Sequence, residues 1–423
     1  MNILIQGGRV IDPASGLDGV ADVAIADGKI LSIGNMPDTF TAEQTMDAKG
    51  CIVAPGLVDL SVRLGGSLAS ELSAAVAGGV TSVVCPPDTE PVLDVPGLVE
   101  MLRYRSERLQ QSRVFPLGAL TRQLQGEVLT EMAALTDAGC VGFGQADVPM
   151  ANTQTLQRAL QYASTFGYSV WLRPQELHLG KGVAASGAMA TRLGLAGVPV
   201  AAETIALHTI FELVRSTQAR VHLCRISSAA GVELMRQAKA EGLPVTCDVS
   251  INSLHLTDLD IGFFDSRMRV TPVLRQQRDR DALRAGLADG TIDALVSDHS
   301  PVDEDAKALP FAESAPGATG LELLLSLTLK WAADSGVSLS DALATITHRP
   351  AAVMGSALGE LAAQLGTLTV GAVADVCVLD AAAHWTVEPD ALRSQGKHTP
   401  FGGYELPGRV RATLVGGALA FSA

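Results

Sequence analysis

The chain has 423 residues, 47% of them hydrophobic and 18% charged, enough apolar material for a large core and too much for a mainly disordered chain. Its 31 basic and 45 acidic side chains give a formal charge of −14, which argues against a nucleic-acid-binding face. Six cysteines (Cys51, Cys85, Cys140, Cys224, Cys247 and Cys377) stand singly, with no C-x-x-C pair. That spacing suits reduced thiols packed as small apolar residues, not a zinc knuckle or a disulfide framework. The start, MNILIQGGRVIDPASG, lacks a basic leader followed by an apolar run, and no stretch of about 18 apolar residues follows. A cytoplasmic protein with no membrane or nucleic-acid partner is expected.

The first fifty residues read as short strands, with Gly7-Gly8 and Asp27-Gly28 as hairpin turns. From about Gly366 the same texture returns in GTLTVGAVADVCVLD and GRVRATLVGGALAF. Both ends therefore predict one small β-sandwich domain, residues 1–53 with 367–423. Between them, apolar strands such as VTSVVCPP, YSVWLRP and RVHLCRIS alternate with amphipathic stretches such as TLQRALQYASTFG and AAGVELMRQAKAEG. About eight such units predict an α/β fold, a (β/α)₈ TIM barrel over 54–366. No Gly-x-Gly-x-x-Gly follows the first strand, so a dinucleotide-binding open sheet is the poorer reading. Chemistry in such a barrel sits at the C-terminal ends of the strands.

Those ends read Asp59-Leu60-Ser61-Val62-Arg63, Cys85-Pro86-Pro87-Asp88-Thr89, Gly144-Gln145-Ala146-Asp147, Leu172-Arg173-Pro174-Gln175-Glu176, Cys224-Arg225-Ile226-Ser227-Ser228 and Asp298-His299-Ser300-Pro301. Together with PGLVDL at 55–60, TPVLR at 271–275, DGTIDALVSDHSP at 289–301 and SAPGATGLE at 314–322, they resemble the dihydroorotase branch of the amidohydrolase superfamily. The resemblance runs nearly end to end and implies a barrel of the metallo-dependent hydrolase type. Members of this branch hold one or two zinc ions between imidazoles and carboxylates at the barrel mouth, to activate a water.

Position by position, the resemblance implies a degraded site. Its first-strand Asp-x-His-x-His falls on Asp59-Leu60-Ser61-Val62-Arg63, so Ser61 and Arg63 replace both imidazoles. Gln145 and Ala146 stand where a bridging acid or modified lysine is expected, and Arg173 and Arg225 where two further histidines are. An arginine has no acceptor for a cation. The substrate positions change as well, to Gly65, Asp88 and Val302. Asp298 alone survives, beside His299. His222 and His255 sit in apolar surroundings and read as ordinary core or surface histidines. Asp303, Glu304 and Asp305 read as a solvated loop and a weak interface candidate.

The expectation is a chain that is not an enzyme, with Asp298 and His299 as relics, no zinc, and a structural salt-bridge plug made by Arg63, Arg173 and Arg225 with Asp298, Asp59, Asp88 or Glu176. Some bacteria pair aspartate carbamoyltransferase with a dihydroorotase-like chain, which this sequence resembles. The resemblance thus implies an assembly subunit for the aspartate carbamoyltransferase catalytic chain in pyrimidine biosynthesis, with a homodimer as an option. Two rival functions stay open: a cyclic amidohydrolase acting through Asp298, and a small-anion-binding regulator using the three arginines.

Overall fold

The computed structural model describes residues 2–423. Eight parallel strands follow one another around a barrel: β1 (Leu57–Asp59), β2 (Val80–Cys85), β3 (Arg113–Ala119), β4 (Gly142–Gly144), β5 (Ser169–Leu172), β6 (Arg220–Leu223), β7 (Val245–Ser250) and β8 (Ala294–Val296). Closure comes just beyond the strands. Arg63 N donates to His299 O at 2.9 Å and His299 N to Ser61 O at 3.1 Å, joining the first strand segment to the last. All six residues of β2, VTSVVC, are buried, as expected of a parallel strand covered on both faces.

The helices outside the barrel follow the apolar spacing. Helix Thr153–Phe166 buries Leu156, Ala159, Leu160 and Ala163; Asn152 caps its start and Gly167 ends it in the left-handed conformation. Inside the barrel, Val58, Leu60, Val84, Leu117, Trp171, Ala294 and Val296 pack together, with Ala351, Val353 and Met354 of helix His348–Met354 in the same cluster. The barrel is thus a packed core, not a pore.

Both chain ends contribute to one further eight-stranded sheet, in which Ile52–Pro55 pairs with Ile3–Asp12 on one side and Val376–Thr386 on the other. The apolar run IVAPGLVDLSV, read as a single strand, is split between sheet and barrel at Gly56. A Cβ there would lie 2.3 Å from Thr81 Oγ1, so the chain crosses where only glycine fits. Asp27-Gly28 is a hairpin turn, with φ of 51° and 75°. Gly7-Gly8 is not. It lies inside strand Ile3–Asp12 at a register shift, where the first strand bulges past its partner and Gly8 lets Val53 approach. Among the described residues no helix is long and apolar enough to cross a membrane.

Candidate active site

Charged side chains converge at the C-terminal end of the barrel. Arg63 follows β1, Asp147 follows β4, Arg173 follows β5, Arg225 follows β6 and Asp298 follows β8. Asp147 is the hub. Its Oδ2 lies 2.7 Å from Arg63 Nη2; its Oδ1 lies 2.7 Å from Arg173 Nε and accepts from Arg225 Nη2. The Arg173 N–H does not point along that line, so this contact is an ion pair without a hydrogen bond. Arg63 also donates to Asp88 Oδ2 and Ser300 Oγ, each at 2.9 Å, and Arg225 Nη1 donates to Asp298 Oδ1 at 2.9 Å.

Three guanidinium groups and three carboxylates therefore balance. Burial pushes the Asp147 carboxyl upward, but Arg225, Arg63 and Arg173 outweigh it and hold it well below the usual carboxylate range. Burial raises Asp298 by more than Arg225 and Arg63 lower it. Ala146, Arg225 and Asp298 all have positive φ (50°, 57° and 53°), a conformation rare for non-glycine residues that gathers at functional sites.

Of the partners read from the sequence, Asp88 and Asp298 do pair with the arginines. Asp59 and Glu176 do not: Asp59 accepts from Ser61 N and Ser297 N, and Glu176 from His178 N and Leu179 N. Sequence reading missed Asp147, although it is the third residue after β4 and so stands where a barrel carries its functional groups. Gln145 is spent on Thr121 Oγ1 and Leu124 O. Ser61 closes the barrel through its carbonyl; Gly65 packs by Pro301, and Val302 by Gly317. His299 turns away from Asp298, with Nε2 2.8 Å from Glu71 Oε2 and both side chains fully buried. Asp303, Glu304 and Asp305 are exposed, but Glu304 and Asp305 begin a short helix, Glu304–Lys307, which Asp303 precedes.

A cavity of about 160 Å³ lies among these groups, lined by Arg63, Asp147, Arg225, Asn252, Asp298 and Ser300. Asn252 Oδ1 and Arg225 Nε are buried there without hydrogen-bond partners among the described residues. Asn252 was legible only as part of the helix start after β7, INSLH, where nothing in its neighbours marks a ligand.

At the strand ends, Arg63, Arg173 and Arg225 do not fit a metal centre, since guanidinium offers no lone pair to a cation. Deeper, on and beside β6 and β7, His222, Cys224 and Asp248 bring ligand atoms within 4.8 Å of one another. His222 Nε2 lies 2.9 Å from Asp248 Oδ2, His222 Nδ1 lies 2.8 Å from Thr246 Oγ1, and the ring packs against Trp171. Nitrogen, sulfur and carboxylate oxygen are donors that zinc takes, so this set fits by type. His255 is different: its Nε2 bonds Leu327 O, and burial lowers its pKa to about 3, as in a neutral core histidine.

Asp59 makes a pH prediction. Burial pushes its carboxyl up to about 7, and Oδ2 has no partner among the described residues. The folded state thus binds a proton that the unfolded chain releases near 4. The resulting stability is complete below about pH 4 and is lost as pH rises through 7. Asp59→Asn is expected to flatten the decline in stability between pH 5 and 8, leaving the variant about 1–2 kcal/mol ahead of the parent at pH 8. Urea unfolding at several pH values checks this, and parallel curves would refute it.

The sequence matches the family described as Dihydro-orotase-like over residues 50–230 and the Amidohydrolase family over 200–420. A dihydroorotase-like protein of Pseudomonas aeruginosa is 44% identical, over 99% of both chains. The chain belongs to the dihydroorotase-like amidohydrolases. A dihydroorotase of Geobacter sp. strain M21 is 38% identical over the whole of both chains. Among solved structures, the L-hydantoinase of Arthrobacter aurescens superposes with a TM-score of 0.85, at 25% identity, covering 99% of this chain and 95% of that one.

Two expectations are corrected by these findings: that the chain is not an enzyme, and that it holds no zinc. The amidohydrolase relatives point to an enzymatic member of the family, and the barrel contains a group that could take a metal. The sequence reading weighed the strand-end positions, and His222 and His255 as single histidines. It took His222 for an ordinary core or surface residue because Asp248, 26 residues on, becomes the neighbour of His222 and Cys224 only when β6 and β7 pair in register.

Proposed function

We propose that this chain is a cyclic amidohydrolase of the dihydroorotase and hydantoinase kind, with Asp298 handling the proton, and that it works with the catalytic chain of aspartate carbamoyltransferase. The observation that supports the activity is the cavity beside Asp298. It offers the complement of a cyclic amide: Asn252 Oδ1 as an unfilled acceptor for a ring N–H, the Arg225 guanidinium as a donor for a carbonyl, and a carboxylate whose raised pKa suits it to take and return a proton. Ring opening at this place requires the Asp147 bridge to loosen, because Arg63 and Arg225 bind Asp147 across the same cavity. His222, Cys224 and Asp248 are the donors that would hold a zinc ion, which supplies a Lewis acid and an acidified water when bound.

Support for the partner is chemical and comes from the resemblance. Opening dihydroorotate gives carbamoyl aspartate, the compound that aspartate carbamoyltransferase makes. Turnover of dihydroorotate and of hydantoin by the purified chain, with its metal content measured, tests the activity. Asp298→Ala is expected to lower kcat by on the order of 100-fold or more, the usual contribution of a positioned acid or base. No turnover of either ring, with or without added zinc, would overturn the reading. Co-purification tests the partner, and a chain that ignores aspartate carbamoyltransferase in a mixture of the two would defeat it.

A further inference from the structure

A second cavity, of about 250 Å³, lies beside the mouth between the segments that follow β5, β6 and β7. Five cations line it: Arg173, Lys181, Arg225, Arg269 and Arg275. The carboxylate on its wall, Glu203, is already saturated. Its Oε2 accepts from Ser227 N and Oγ, and its Oε1 from Ser228 N and Oγ, at 2.5–3.1 Å. Arg275 is held by neutral oxygens, donating to Ser227 Oγ at 2.8 Å and Val198 O at 3.4 Å. Arg173 and Arg225 share Asp147.

Arg269 and Lys181 complete the set. The Arg269 side chain donates to nothing among the described residues, and its Nε is buried without a partner. Burial lowers its pKa, with no acid beside it to restore the charge. Lys181 is exposed, and Glu176 is an acid close enough to act on it. A half-buried guanidinium set among other cations is stabilised by an anion at hand.

We propose that this cavity binds a small dianion, either a phosphate or a compact dicarboxylate, gripped by Arg269, Arg275 and Lys181. The cavity shares the Arg225 wall with the Asp298 cavity, but Arg269, Arg275 and Lys181 line only this one, so anion binding by these three is read separately from turnover at Asp298. Its size is below the roughly 300–1,000 Å³ of pockets for drug-sized ligands, which favours a compact anion over a nucleotide. Two charges suit it because Arg269 makes no ion pair among the described residues and Arg275, held only by neutral oxygens, lines the same cavity.

Calorimetric titration of the full chain with inorganic phosphate, and separately with succinate, at fixed ionic strength, tests this. Saturable binding of at least one anion is expected, and which of them binds identifies the chemistry. Arg269→Gln should weaken that binding tenfold or more and Lys181→Gln less, whereas Arg105→Gln, in a separate cavity, should leave it unchanged. Arg269 has no partner to lose, so its variant keeps the fold; should it fail to fold, Lys181→Gln gives the same readout. The proposal is overturned if neither anion saturates, or if Arg269→Gln and Lys181→Gln bind as tightly as the parent.

Discussion

Replacing Asp147 with alanine is expected to destabilise the protein by about 3 kcal/mol, the lower end of the range for removing one partner of a buried ion pair, because Asp147 is partly open to solvent. Three guanidinium groups meet at this carboxylate, and the side chains of Arg173 and Arg225 are only 8% and 4% exposed. Without it, two carboxylates remain for three cations. Arg63 keeps Asp88 and Arg225 keeps Asp298, but Arg173 is left with Gln175 Oε1 and a backbone carbonyl. Urea unfolding measures the loss, and adding Arg173→Met should recover part of it by removing the stranded charge.

The sign of the pH dependence follows from Asp147. A carboxyl held well below its unfolded value near 4 contributes stability above that value, lost only as pH falls toward the folded one. The gap between parent and variant should therefore hold from pH 8 to about 5 and close in strong acid. A loss under 1 kcal/mol at neutral pH would mean that the arginines are not held by this carboxylate.

Glu71→Ala should cost a similar amount, about 2–4 kcal/mol. Glu71 lies on helix Leu68–Ala77, fully buried, with Oε2 2.8 Å from His299 Nε2 and Oε1 accepting from Gln395 N at 3.1 Å. Burial pushes its carboxyl up, but the bonds from His299, Ser394 and Gln395 prevail and set it below the ordinary value. Alanine strands the imidazole and the Gln395 N–H inside the protein. Glu71→Gln fills the same space and keeps one acceptor, so its loss should be about half as large. Equal losses for both variants would place the effect in packing, not in the hydrogen bonds. As with Asp147, the carboxylate's contribution should fade as pH drops below about 4.

How far the sequence reached differs from residue to residue. The strand and helix pattern was legible because neighbours in the chain set it: VTSVVC reads as a buried strand, and Asn152 and Gly167 bracket their helix. Gly7-Gly8 misled, because a glycine pair makes a turn or a bulge depending on what packs against it, and here that is Val53. Asp298 and the three arginines were visible as strand-end residues. Asp147 was visible too, but not as their common partner, since it lies 84 residues from Arg63 and 78 from Arg225.

By itself, the sequence determined the barrel and which side chains stand at its strand ends, because side-chain chemistry and local periodicity belong to each residue and its neighbours. It did not determine which charges meet. Only the closing of eight strands placed Asp147 among three guanidinium groups, brought Asp248 to His222 and Cys224, turned His299 toward Glu71 and left Arg269 without an ion-pair partner among the described residues. The physical reason is range. Ion pairing and ligation depend on distances of a few ångströms between distant parts of the chain, and those distances exist only once the barrel has closed.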